Sequence, residues 1–224
     1  MAILRLPKDR KWTMSDNPAN KARKRPRTHP EINEYRRRTL VEGALRSLAA
    51  RGVAGTTVAT ISKEAGASRG LLGHYYETKD DVMVAALQHL FNRVAGLVRD
   101  HVESVQGTAT DKVLAVPAAM FSAPAFTQLH RTAFLALWHE TRFNEKVRKA
   151  NRKLYRDYML RMETMVRAAA TELGTKVDPR NVALSYIALS DGLWLGMSIH
   201  DDMLTGAQAV AMCQDHLKRE LSMV

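Results

Sequence analysis

Apolar residues recur at three- and four-residue intervals along most of the chain and nowhere in sustained alternation, so the pattern predicts helices rather than strands. Over residues 33–51, Leu40, Val41, Ala44, Leu45 and Leu48 form one stripe that stops at Gly52. Val58, Ile61 and Ala65 bury one face of a second, shorter helix that Thr56 or Thr57 can cap. Gly66 ends it, because a residue just past a helix C-terminus often needs a positive φ, which glycine adopts without a Cβ clash. Ala67 leads into Ser68, the N-cap of a third helix in which Leu71 or Leu72 faces inward and Arg69 and Gly70 face outward. After a cap at Glu77-Thr78-Lys79-Asp80, a long helix runs through Val82, Met83, Leu87, Leu90, Val94, Leu97, Val98 and Val105 to near Gly107. At 1.5 Å per residue its roughly 25 residues span nearly ~40 Å.

Five further helices are expected over residues 111–121, 125–142, 144–173, 179–198 and 205–221, with breaks at Pro124, 174–179 and 201–206. No repeat at solenoid periods is present. The fold class is therefore all-α. It divides into a basic arm (1–30), a three-helix domain (31–77) and a helical C-terminal domain (78–224).

The two short helices around Gly66 have the geometry of a helix-turn-helix, whose second helix lies in the DNA major groove with its N-terminal residues at base edges. Ser68, Arg69 and Gly70 take those positions. Arginine suits a bidentate contact with guanine, and glycine beside it lets backbone approach backbone.

Charge supports a nucleic-acid partner. Of the net +11, residues 1–30 hold nine Lys or Arg against Asp9 and Asp16, a net +7, and residues 31–77 add +2. Such a concentration gives affinity through counterion release but no sequence choice. In the arm, Lys21, Arg23, Lys24, Arg25 and Arg27 either follow phosphates or belong to a solvated tail; Trp12 has no assigned role. Arg36, Arg37 and Arg38 are read as phosphate contacts. The run from Lys146 to Arg156 is read as a solvated helix face.

Composition excludes several classes. The single Cys213 rules out an intramolecular disulfide and a cysteine zinc cluster, no apolar run approaches a membrane span, and no signal peptide follows the basic start, so a cytoplasmic protein without membrane partners is expected. No H-E-x-x-H, G-x-G-x-x-G or Walker loop occurs, so neither an enzyme nor a cofactor is expected. His200, Asp201 and Asp202 read as an exposed loop rather than a metal site.

Two tryptophans, Trp138 and Trp194, lie on amphipathic helices of the C-terminal domain. Ile187, Asp191 and Trp194 share a face at spacings of four and three, which aims a carboxylate and an indole into one region. Core tryptophans with an interface aspartate, or a ligand site, both satisfy that pattern. A buried carboxylate needs a partner in either case.

The segment TVATISKEAGASRGLLGHYY resembles the DNA-binding domain of the TetR family of bacterial repressors, matching its motif at Thr57, Ile61, Ala65, Gly66, Ser68, Gly70, His74, Tyr75, Tyr76 and Lys79. The resemblance implies DNA contacts from Thr57, Ser68, Arg69, Gly70, His74, Tyr75, Lys79 and Arg36, a linker helix after Thr78, and a homodimer on a palindromic operator. Gly73 stands where the family usually carries a phosphate-touching Tyr, a contact His74 and Tyr75 are left to supply. Downstream, residues 134–155 and 183–196 resemble the family's choline-responsive branch, which controls glycine betaine synthesis. That implies a choline or betaine aldehyde site at Trp138, Trp194 and Asp191, with Tyr155 or Glu140. A lipophilic drug or metabolite is the alternative effector. The dimer contacts implied are Ala183, Ser190, Gly196, Val210 and Leu217.

Overall fold

The structure is a computed structural model that describes residues 28–200 and 202–223. The arm, with Trp12 and its basic cluster, lies outside the described residues, as does Asp201. Arg37–Val224 is one compact unit. In the described residues before it, Thr28 and Glu31 exchange backbone-to-side-chain hydrogen bonds of 3.0 and 3.4 Å, a capping box that starts the first helix four residues earlier than the apolar stripe suggests.

Among the described residues there are nine helices and no strand: α1 His29–Gly55, α2 Val58–Ala65, α3 Arg69–Tyr75, α4 Lys79–Ser104, α5 Ala109–Met120, α6 Gln128–Glu140, α7 Glu145–Leu173, α8 Pro179–Ile199 and α9 Gly206–Glu220. Their ends follow local chemistry. Gly52 breaks α1 with φ +64°, Thr57 caps α2 in a box closed by Thr60, and Thr78 caps α4 in a box closed by Asp81. Gly66 and Gly174 end α2 and α7 in the left-handed region at φ +63° and +67°. Gly43 permits a close crossing instead: a Cβ there would lie 2.7 Å from the backbone nitrogen of Ala65.

Two buried clusters fill the compact unit. One joins Leu40, Leu45, Leu48, Ile61 and Leu72 of the first three helices to Val82, Met83, Leu87 and Leu90 of α4, and extends to Ala133 and Leu137 of α6 and Val147 of α7. The other gathers α5, α7, α8 and α9 around Tyr186, Val166, Met162, Cys213 and Leu217. The N-terminal helices thus share one core with the start of α4 and with α6.

Two sequence expectations need correction. Val58 does not join the buried face of α2; it is 41% exposed at the helix's first position, before the core-facing turn begins. And α8 is, by length and composition, apolar enough to cross a membrane, with a mean hydropathy of 1.4. Core packing accounts for that apolarity, since Val182, Ala183, Tyr186, Ile187, Leu193, Trp194 and Met197 on this helix are all buried.

Candidate DNA-reading head and effector cavity

The turn between α2 and α3 is three residues, Gly66, Ala67 and Ser68, and it is rigidly tied. Backbone N–H groups of Gly66 and Ala67 donate to Lys63 and Ser62, and the Ser68 hydroxyl accepts from Leu71 at 3.1 Å. Behind the turn, the Arg46 guanidinium donates to the Glu64 carbonyl at 2.6 Å, and Arg51 pairs with the Glu64 carboxylate at 2.9 Å. Leu72 is buried, which leaves Ser68, Arg69 and Gly70 exposed on the outer face at the start of α3.

The neighbouring candidates have distinct settings. Thr57 is exposed but its hydroxyl serves as the α2 cap, 3.2 Å from the Thr60 N–H. Lys79 is half-buried and donates to the Val53 carbonyl at 2.8 Å, so its ammonium clamps α4 to the end of α1. His74 is exposed and packs edge-on to Tyr75 at 5.1 Å, and the Arg37 guanidinium lies 5.5 Å from the Tyr75 ring centroid. Arg36 is exposed. A Cβ on Gly73 would meet nothing within 4 Å, so the position leaves open space where a tyrosine would stand.

A cavity of about 790 Å³ lies in the C-terminal domain, walled by α4, α5, α7 and α8 with Phe134 from α6. It falls within the ~300–1,000 Å³ of sites that bury drug-sized molecules. Phe91, Phe134, Tyr155, Tyr158, Trp194 and Asp191 line it. The rings interlock: Phe91 is 5.1 Å from Phe134 and 5.5 Å from Tyr155, and Phe134 is 5.9 Å from Trp194. As the shared face of α8 predicts, Asp191 and Trp194 reach the same region.

Asp191 has the partner its burial demands, the Tyr155 hydroxyl, which donates to Oδ2 at 3.0 Å. Burial pushes the Asp191 carboxyl up to about 6, against the opposing pull of that hydrogen bond. Burial likewise holds the Tyr155 phenol protonated, with the nearby Asp191 charge adding to the effect. The result is a carboxyl group set among aromatic rings and hydrogen-bonded by a neutral phenol rather than paired with a cation.

Trp138 and Glu140 are not in the lining. The Trp138 indole packs edge-on to Phe134 at 4.8 Å and lies 6.4 Å from Tyr155, so it backs the wall instead of facing the space. Glu140 closes α6. Phe91 and Phe134 were missed. Phe134 sits one helical turn before Trp138 on the same helix, a spacing that could have flagged it; Phe91 carries no local signal, since only the packing of α4 on α7 brings it to Tyr155.

The expected dimer contacts divide. Ala183, Ser190 and Leu217 are fully buried inside the chain itself and present no surface to a second copy; small residues pack helices of one protomer as readily as two. Gly196 and Val210 are half-buried. The outward apolar positions on these helices include Leu184 and Met212, 52% and 45% exposed. Cys213 is buried, and burial pushes its thiol up to about 12. His200 and Asp202 are exposed.

A helix-turn-helix head carried on a long helix that also walls an apolar cavity is the architecture of a DNA-binding transcriptional regulator. Residues 40–86 match the family described as bacterial regulatory proteins of the tetR family, and residues 109–222 match the BetI-type transcriptional repressor C-terminal domain. The chain belongs to the TetR family, as a DNA-binding repressor with a BetI-type C-terminal domain. It is 28% identical over 192 residues to the HTH-type transcriptional regulator BetI of Brucella canis, covering 86% of this chain and 94% of that one. A solved transcriptional regulator from Pseudomonas aeruginosa PAO1 superposes with a TM-score of 0.77 at 30% identity, covering 88% of this chain and 94% of its own. A regulator from Saccharomonospora viridis, solved in complex with choline, shares the fold with a TM-score of 0.69 at 19% identity, covering 85% and 97%.

Proposed function

We propose that this repressor is released from a palindromic operator by a quaternary ammonium effector of the choline type, and that it acts as a homodimer. The observation that carries the reading is Asp191 with its ring of Phe91, Phe134, Tyr155 and Trp194 in a cavity walled by α4, the helix that also holds the reading head. A quaternary ammonium cannot donate a hydrogen bond, so it is held by aromatic faces and a nearby anion, at about 0.5–2 kcal/mol per cation–π contact. The names of the BetI relatives and the choline found in the Saccharomonospora viridis protein support the same class.

In this mechanism the two α3 helices of a dimer enter successive major grooves about 34 Å or a multiple apart, with Ser68, Arg69 and Gly70 at base edges. Leu184 and Met212 lie on the face between protomers. Cation entry shifts α4, and the heads lose their spacing. A tenfold loss of operator affinity needs only about 1.4 kcal/mol of differential binding.

The test is fluorescence anisotropy with a palindrome selected from random DNA, with and without choline. Choline is expected to release the palindrome, and Arg69→Ala to remove about 1–3 kcal/mol of discrimination against a changed base while leaving random-DNA affinity nearly intact. Equal affinity for random and palindromic DNA, or binding indifferent to choline, would sink the reading.

A further inference from the structure

A cation the size of choline fills little of this cavity. Its volume, about 790 Å³, equals the liquid share of roughly 26 waters at about 30 Å³ each. It is also long. The lining runs from Phe91 to Glu103 on α4 and from Tyr155 to Ala168 on α7. At 1.5 Å per residue each wall is about 18–20 Å.

The two ends differ in chemistry. At one, Phe91 and Tyr155 stand ring to ring at 5.5 Å beside Asp191. Away from it the walls turn aliphatic, through Val94, Val98 and Val102 on α4 and Met162 and Met165 on α7. The only other charged groups in the lining are Arg99, Glu103, Lys112 and Arg161, all exposed at the rim.

Building on the effector role given to this cavity above, we propose that it takes an amphiphilic cation: a quaternary ammonium head against Asp191 and its rings, and an unbranched apolar tail laid between α4 and α7. The opposite polarity, a long-chain anion with its head among the rim cations, fits less well. It would lay an apolar tail against the half-buried Asp191 carboxylate and leave it with no countercharge. Arg99 is moreover already engaged with Asp100 at 3.5 Å, and Glu103 lies beside it at the rim.

The test is calorimetric titration of the full chain with choline and with hexyl-, decyl- and dodecyltrimethylammonium below their micelle concentrations, with dodecanoate and dodecanol as tail controls. Each added methylene is expected to tighten binding about fourfold until the cavity is full, from ~0.8 kcal/mol per buried methylene. Ala95→Trp, on the α4 wall of the cavity one turn past Phe91, should cancel that gain. Asp191→Asn should weaken the cationic series about thirtyfold and dodecanol hardly at all. The wild-type series decides without either variant. Choline binding as tightly as dodecyltrimethylammonium overturns the tail and leaves the choline-released repressor standing. Dodecanoate binding as tightly as dodecyltrimethylammonium overturns the cation head. Silence from every probe overturns this inference and the effector reading beneath it together.

Discussion

The two halves of α4 are built differently, although they are one uninterrupted helix. From Val82 to Leu90 its inward residues are at most 1% exposed and lock into the core of the reading head. From Phe91 to Val102 its inward residues are only half-buried and face an open cavity. One half is fixed to what it carries; the other is left with unfilled space along its side. In the mechanism proposed above, a ligand that fills the space would act on a lever whose far end is rigidly held, and a small change at the cavity would become a displacement of the head.

The largest expected effect tests the rigid half. Leu87→Ala opens a cavity in a fully packed site and should cost about 2–5 kcal/mol by denaturant unfolding. Val98→Ala, at a site already bordering empty space, should cost less than ~1 kcal/mol while changing effector affinity. Equal costs would erase the contrast between the halves.

A second test uses the charge in the cavity. The Asp191 carboxyl is pushed up to about 6, above its ordinary value near 4, so between those pH values the folded chain holds a proton the unfolded chain has released. Stability therefore falls as pH rises through that window. Asp191→Asn should match the wild type near pH 4 and exceed it above pH 7 by roughly 1–3 kcal/mol in thermal unfolding. Cation affinity of the wild type should rise over the same interval, as the carboxylate ionises. A variant that melts lower at pH 7 would mean that Asp191 supports the fold rather than the ligand.

The smallest effect concerns the joint between the regions. Lys146 at the start of α7 meets Asp81 in the first turn of α4 at 2.7 Å, and that contact holds the Asp81 carboxyl below its ordinary range. The pair is solvent-exposed and screened, so Lys146→Ala should leave stability nearly unchanged. Its signature is expected instead in how strongly effector binding alters DNA affinity; an unchanged coupling would show the joint to be passive.

What the sequence made legible follows the range of the interactions. Helix ends were readable because caps are local: Thr57, Gly66, Ser68, Thr78 and Gly174 each act within four residues of themselves. The pairing of Asp191 and Trp194 was readable because both lie on one helix. Trp138 and Glu140 fall outside the cavity lining and Phe91 falls inside it, because which side of α6 and α4 meets α7 is settled by packing across the fold. Ala183, Ser190 and Leu217 are buried within the chain for the same reason, since a small or apolar residue does not declare whether its neighbour belongs to the same chain.

The core shared by the first three helices, α4 and α6 sets a rule for building hybrid sensors from this protein. A graft cut at residue 77 would deliver a DNA reader stripped of Val82, Met83, Leu87 and Leu90, and so without much of its own interior. A transplant that works must carry α4 through Leu90 and supply counterparts of Ala133, Leu137 and Val147 in the recipient. The portable unit is larger than the motif that reads DNA, and its seam runs through the middle of a helix.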